Sequence, residues 1–328
     1  MSAAPHRRVL AVMVLVPVVA ALALWAFAWP AARTAPRDLP IGVAGPTAAA
    51  GPLEQRFEER DGAFDVRRYE DEAAARTAIE ERVVYGAVIA GPGSPRLLIA
   101  TGAGPAVAQL LKQAVTAQAP PGTEVQVTDV APLPSGDPRG SALPASVLPL
   151  ALGGVAAGAL VTLLGLRGTR AAGALAGAAV LVGITATAIA HSWLGVLDGD
   201  WWAEAGALSL TAAAIGAPVA GFAALLGTPG IGLGALLMVL LGNPFSGASS
   251  APELLPGPVG DLGQWLPPGA GATLMRSVAY FVGNGAAASL LTLSGWAALG
   301  LAAVLVAGWR RIPATEGQST RPSPVPAA

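Results

Sequence analysis

Between Gly140 and Gly308 the only charged side chains are Arg167, Arg170, Asp198, Asp200, Glu204, Glu253, Asp261 and Arg276. A helix needs about 20 consecutive apolar residues to cross a bilayer core. Uncharged stretches recur at residues 143–166, 171–193, 206–226 and 286–309, with a shorter, Gly/Pro-interrupted one at 230–246. A further apolar run, residues 9–29, follows His6, Arg7 and Arg8 and ends at Trp25, Trp29 and Pro30. The expected fold is therefore an α-helical polytopic membrane protein with six spans.

Most of the remaining charge lies between Arg33 and Arg139, in a polar block that separates the first span from the other five. Only 12% of the 328 residues are charged, half of what a soluble domain carries. A net charge of −1 gives nucleic acid nothing to bind. The absence of cysteine removes disulfides, thiolate metal sites and cysteine nucleophiles. Lys112, the single lysine, precedes Gln113, so the Gly-Lys-Ser/Thr core of a phosphate-binding loop is missing.

Basic residues in short loops mark the cytoplasmic side. With the N-terminus inside, the inner segments hold Arg7, Arg8, Arg167, Arg170, Arg310, Arg311 and Arg321 against Glu316 alone. The loop at 194–205 then lies outside with Asp198, Asp200 and Glu204 and no base. The reading is N-in and C-in in a bacterial cytoplasmic membrane, with the polar block outside. A secretory h-region is about 7–15 residues long. The first apolar run exceeds that and is expected to be a retained span; the alternative is a cleaved signal peptide, which the basic leader and the small residues near Ala31–Ala35 would also fit.

The polar block reads as a small α/β domain. Strands are expected at 41–45 and 64–69, at 85–90 and 96–100 across the turn Gly91-Pro92-Gly93-Ser94-Pro95, and at 124–130. Helices are expected at 53–60, 71–82 and 107–117. The organisation is thus a leader and first helix (1–30), an extracytoplasmic α/β domain (31–142), a five-helix transmembrane domain (143–309) and a cytoplasmic tail (310–328).

Sequence signals for catalysis are absent. There is no Gly-x-Ser-x-Gly and no His-Glu-x-x-His. Neither an enzyme nor a cofactor nor a bound metal is expected. His191 closes the third span; an ionisable residue there can be functional, but beside Trp193 it reads as an interfacial histidine. Asp198, Asp200 and Glu204, interleaved with Trp201 and Trp202, read as an exposed acidic loop. Gly154-x-x-x-Gly158 and Gly173-x-x-x-Gly177 suit close helix approach, within a bundle or a dimer. Pro218, flanked by Gly216 and Gly221, is expected to kink its span. Residues 242–285 are too broken to span and too apolar for an ordinary loop. They read as a re-entrant or outer-surface helical element, since irregular backbone at membrane depth must be buried in protein or line a wet cavity.

Two stretches carry a family resemblance. One runs from Glu72 to Thr101, with an Ala-rich helix, Val-Tyr-Gly-Ala-Val-Ile at 84–89 and Leu-Leu-Ile-Ala at 97–100. The other is 243–276, with Phe-Ser-Gly, Pro-Glu-Leu-Leu-Pro and Trp-Leu-Pro-Pro-Gly ahead of Arg276. With one N-terminal span, an external domain and a five-span block, the chain resembles the type-2 ABC exporter permease superfamily, in its phage-infection-protein-like branch. The resemblance implies an external hairpin before the last span and two permeases, identical or different, lining a path for a hydrophobic or amphipathic substrate. It also implies power from a separate ATP-hydrolysing subunit. Pro218, Asn243, Pro244, Pro267 and Arg276 are then the path or gating candidates. The chain departs from the pattern where an ATPase would dock. Its inner connections, Arg167-Gly168-Thr169-Arg170 and Gly227-Thr228-Pro229-Gly230, are too short for a coupling helix at about 1.5 Å rise per residue. The alternative is a non-transporting scaffold or receptor whose external domain binds envelope, secreted or phage proteins.

Overall fold

Strand and helix alternate through the polar block as its short apolar runs and Gly/Pro punctuation require. The computed structural model describes residues 3–60, 62–91, 96–118 and 125–309. The expected turn at 92–95, the start of the last expected strand at 124 and the tail at 310–328 lie outside the described residues, as do the side chains of Arg7 and Arg8. The strands β1 (Leu39–Ala44), β2 (Phe64–Tyr69), β3 (Gly86–Ile89), β4 (Arg96–Ile99) and β5 (Gln126–Asp129) form one sheet. Its order is β2-β1-β3-β4-β5. All neighbours run parallel except β3 and β4, which pair antiparallel with Val88 opposite Leu97. Helices α2 (Thr47–Glu58), α3 (Glu72–Glu80) and α4 (Pro105–Gln118) make the crossovers. Residues of the inner strand β3 are buried throughout, which explains a continuous apolar run, whereas the edge strand β5 alternates between exposed and half-buried positions.

Five helices are long and apolar enough to cross a membrane: α1 (Ala3–Ala32), α5 (Ala142–Leu163), α6 (Gly168–Thr187), α7 (Trp201–Leu226) and α11 (Ala287–Trp309). The chain is thus built as a multi-pass membrane protein. The fifth expected span, residues 230–246, is not among them. There the chain forms α8 (Thr228–Ala235) and six residues of wider π geometry, Leu236–Leu241. That helix is about 20 Å long against a hydrocarbon core of about 30 Å. The turn at Gly242 and Pro244 ends it.

Helix α7 is the hub of the spanning unit. Two-thirds of its apolar window is buried, against about a quarter for α5, α6 and α11 and almost none for α1. Small residues make this possible, because lipid gives apolar side chains no reason to prefer another helix and close backbone contact must supply the attraction. The glycines at 154 and 158 on α5 face α7. A Cβ at Gly154 would lie 2.7 Å from the Ile215 Cβ, and one at Gly158 2.8 Å from the Val219 Cβ. The second small-residue pair does not pack in this way: a Cβ at Gly173 or Gly177 would meet nothing within 4 Å. Helix α7 runs unbroken through Pro218, and Gly300 of α11 abuts the Ala217 and Pro218 backbone.

Between the short helix and α11 lie a 3-10 turn (Pro252–Leu254), α9 (Val259–Trp265) and α10 (Pro267–Tyr280). Ala251 and Leu254 complete the core under the sheet with Leu39, Val88, Leu97 and Leu111. Tyr280 and Phe281 close the sheet's other core against Ile79 and Leu98. Leu274 and Met275 belong instead to the spanning core, beside Leu208 and Leu293. The boundary expected at 142 therefore divides the sequence but not the packing. Helix α1 joins this assembly through the stacked Trp25 and Trp29, with Phe245 edge-on to Trp25.

Gly158→Ala should lower the thermal unfolding midpoint in detergent, because a methyl forced against Gly216 and Val219 costs about 1–3 kcal/mol. Gly177→Ala should leave the midpoint unchanged or slightly raised. Equal midpoints for the two variants would contradict the α5–α7 packing.

Candidate functional site at the domain junction

Helix α3 ends at Glu80 and is capped by Glu81, and the next residue, Arg82, takes a left-handed backbone with φ 61. Glycine usually fills that position, and a side chain there costs about 1–2 kcal/mol. The guanidinium uses the geometry to cross the junction. Its Nη1 donates to the Thr273 carbonyl at 3.0 Å and to the Ser277 hydroxyl, and the group lies 5.3 Å over the Phe281 ring. Burial lowers the pKa of Arg82 from the usual arginine value.

Arg276, on the same helix α10, is 4% exposed. Its Nη2 donates to the Ala248 carbonyl at 2.7 Å and, more weakly, to that of Gly247 at 3.4 Å. The Tyr85 hydroxyl donates to Glu253 Oε2 at 2.8 Å. Burial first, and the Glu253 charge second, push the Tyr85 phenol well above its usual range. Thr273 donates to Gln264 at 2.6 Å, and Gln264 donates to the Ser246 carbonyl at 3.1 Å. These groups surround a polar cavity of about 280 Å³ between the sheet domain and α9–α10, lined by Arg82, Tyr85, Glu253, Asp261, Gln264 and Arg276 among others.

Of the path and gating candidates, only Arg276 lines this cavity. Asn243 and Pro244 form the half-buried turn beneath it, where the Asn243 carbonyl accepts from the Ser246 hydroxyl. Pro267 is buried at the first turn of α10, where a proline loses no helical hydrogen bond. Pro218 sits within α7 and does not line the cavity. Sequence reasoning did not take Arg82, Tyr85 or Glu253 as site residues, although Tyr85 and Glu253 lie within the Val-Tyr-Gly-Ala-Val-Ile and Pro-Glu-Leu-Leu-Pro stretches. For Arg82 the available signal was a helix ending Glu81-Arg82-Val83 without the expected glycine.

A second polar feature joins the C-terminal end of α6 to the N-terminal end of α7. Helix α6 continues as a π turn over Ala188–Trp193, a geometry often found at functional sites. His191 Nδ1 lies 2.9 Å from Glu204 Oε2. Glu204 is fully buried, and its Oε1 accepts from the Gly199 amide at 2.8 Å. The acidic loop is therefore only partly exposed: Asp198 and Asp200 face out, with Asp200 capping α7 through the Ala203 amide, while Glu204 turns inward. His191 is partnered rather than a free interfacial ring. Next to this pair, an apolar groove of about 420 Å³ opens between α5 and α6, lined by Leu143, Pro149, Val182, Ile189 and Met275 among others.

The junction is suited to holding charged groups. No cluster of three or more His, Asp or Glu side chains able to hold a metal occurs among the described residues.

Glu204→Ala should lower the unfolding midpoint strongly. Removing the carboxylate leaves the Gly199 amide without its acceptor and the half-buried His191 without its partner, a cost of about 1–3 kcal/mol. Glu204→Gln keeps an acceptor for Gly199 and a donor for His191 and should lose much less; equal losses would remove the pairing as the cause. No protein-family model, curated protein or solved structure matches this chain.

Proposed function

We propose that the chain is a permease-like subunit of a bacterial export system that moves a hydrophobic or amphipathic substrate across the cytoplasmic membrane. It works as a pair, with itself or a second permease, and draws on a separate ATP-hydrolysing subunit. The observation that carries this reading is the seating of α9–α10 between the sheet domain and the hub helix α7. Ala251 and Leu254, just ahead of the pair, complete the core under the sheet, Tyr280 at the end of α10 packs on its other face, and Leu274 and Met275 of α10 pack into the spanning core. A displacement of α7 is then felt in the external domain without a flexible linker, as an exporter's gate requires. The apolar groove between α5 and α6 opens sideways at the same level and suits the apolar part of such a substrate.

One observation favours the non-transporting scaffold or receptor instead. Only residues 164–167 separate α5 from α6, and Gly227 alone separates α7 from α8. Neither link reaches far from the bundle.

Purification of the intact chain in mild detergent from its native host distinguishes the two. An export permease should bring down a nucleotide-binding subunit, and its deletion should lower efflux of apolar dyes. Recovery of no such subunit, together with unchanged efflux, would establish the scaffold reading. For orientation, a cysteine replacing the exposed Glu58 should react with an impermeant thiol reagent on whole cells. One replacing Thr169 should react only after lysis. External labelling of Thr169→Cys would reverse the proposed topology.

A further inference from the structure

The junction cavity brings together four charged side chains of balanced sign: Arg82 and Arg276 against Glu253 and Asp261. Among the described residues, none of the ion pairs within 4.0 Å involves any of the four. This arrangement is unusual for so small a space. A buried guanidinium with no carboxylate partner is expensive, and side chains this long ordinarily swing together when nothing holds them apart. Here each is tied to something else. Arg82 is drawn to α10 and stacked on Phe281, Arg276 is held by the carbonyls at 247–248, and Glu253 is held by the Tyr85 hydroxyl. Each arginine makes its hydrogen bonds through a single terminal nitrogen, so the other guanidinium donors have no described partner. Glu253 retains Oε1, and Asp261 stands exposed at the rim.

The depth of the cavity follows from α9. Asp261 and Gln264 on that helix line the cavity, while Leu262 and Trp265 on its other side are 53% and 72% exposed. The carbonyl of Trp265 accepts from the Trp296 indole of the spanning helix α11 at 2.8 Å. Trp193 and Trp202, also exposed, stand at the same ends of α6 and α7. Exposed tryptophans at helix ends mark the headgroup level of a bilayer. The cavity therefore opens at the surface of the leaflet on the sheet domain's side.

We propose that this cavity binds an aminophosphate zwitterion, with phosphate oxygens on Arg82 and Arg276 and the ammonium on Glu253 and Asp261. The guanidinium fork matches phosphate geometry. A simple anion would meet the carboxylates and a simple cation the arginines, so only a ligand carrying both charges satisfies all four groups. The chemistry occurs in the headgroup of an ethanolamine phospholipid and in free aminophosphates. The inference does not depend on whether the chain transports anything.

The test uses the full-length protein in alkyl-maltoside micelles, with the thermal unfolding midpoint as readout. O-phosphoethanolamine should raise the midpoint well above the effect of inorganic phosphate or ethanolamine alone. Asp261→Asn, a change at an exposed position that should not disturb folding, should weaken phosphoethanolamine binding roughly tenfold and leave phosphate nearly unaffected. Arg276→Gln, if it folds, should abolish both responses. Mixed micelles of phosphatidylethanolamine or phosphatidylglycerol separate the sources. A response to the ethanolamine lipid without one to the soluble probe assigns the lipid headgroup, and the reverse assigns a free ligand. No response to any ethanolamine probe, an equal response to phosphate, or an undiminished response in Asp261→Asn would overturn the proposal.

Discussion

The residues from Phe245 to Phe281 belong to two cores at once, and this sharing decides how the rest of the molecule is arranged. Leu254 is buried under the sheet with Leu97 and Leu111, while Leu274, on the far side of α9, is buried among the spanning helices. Burying one such side chain is worth about 1.5–3 kcal/mol. The stretch can reach both cores only if its irregular backbone is satisfied. Arg276 donates to the carbonyls at 247–248, the amides of Ala35 and Arg37 donate to the carbonyls of Leu254 and Glu253, and Arg82 donates to that of Thr273. The strained backbone at Arg82 is what brings its guanidinium to that last carbonyl.

A consequence is that the sheet domain and the bundle act as one body despite being separate in sequence. Helix α7 passes through the middle of the bundle, and its packing depends on the near absence of side chains at Gly154, Gly158, Gly216 and Gly300. At the N-terminal end of α7, Glu204 holds both the Gly199 turn and His191. Helix α1 contributes little to either core and attaches mainly where Trp25 meets Phe245. It is a tether that delivers the chain to β1.

Much of the local structure was legible beforehand. The strands and helices of the polar block follow from short apolar runs bounded by Gly and Pro; the described ones form close to their expected places except α2, which starts at Thr47 rather than 53 and runs through Pro52. The apolar runs on either side form helices, because a chain in hydrocarbon must satisfy its own backbone. The short helix at 228–241 differs from expectation because its apolar run continued past Leu241 into a turn. Hydropathy does not register where hydrogen bonding stops.

Sequence alone determined which segments are apolar enough for a membrane, which are polar enough for water, and the α/β pattern of the block between. Those properties depend on neighbours within a few residues. Tertiary structure alone decided that Glu204 turns inward to His191, that Gly158 packs while Gly177 does not, and that Arg82, Tyr85, Glu253 and Arg276 surround one cavity. These last residues are separated by up to nearly two hundred positions, and no local spacing encodes their meeting. It follows from where a shared, irregular segment finds partners for its buried backbone.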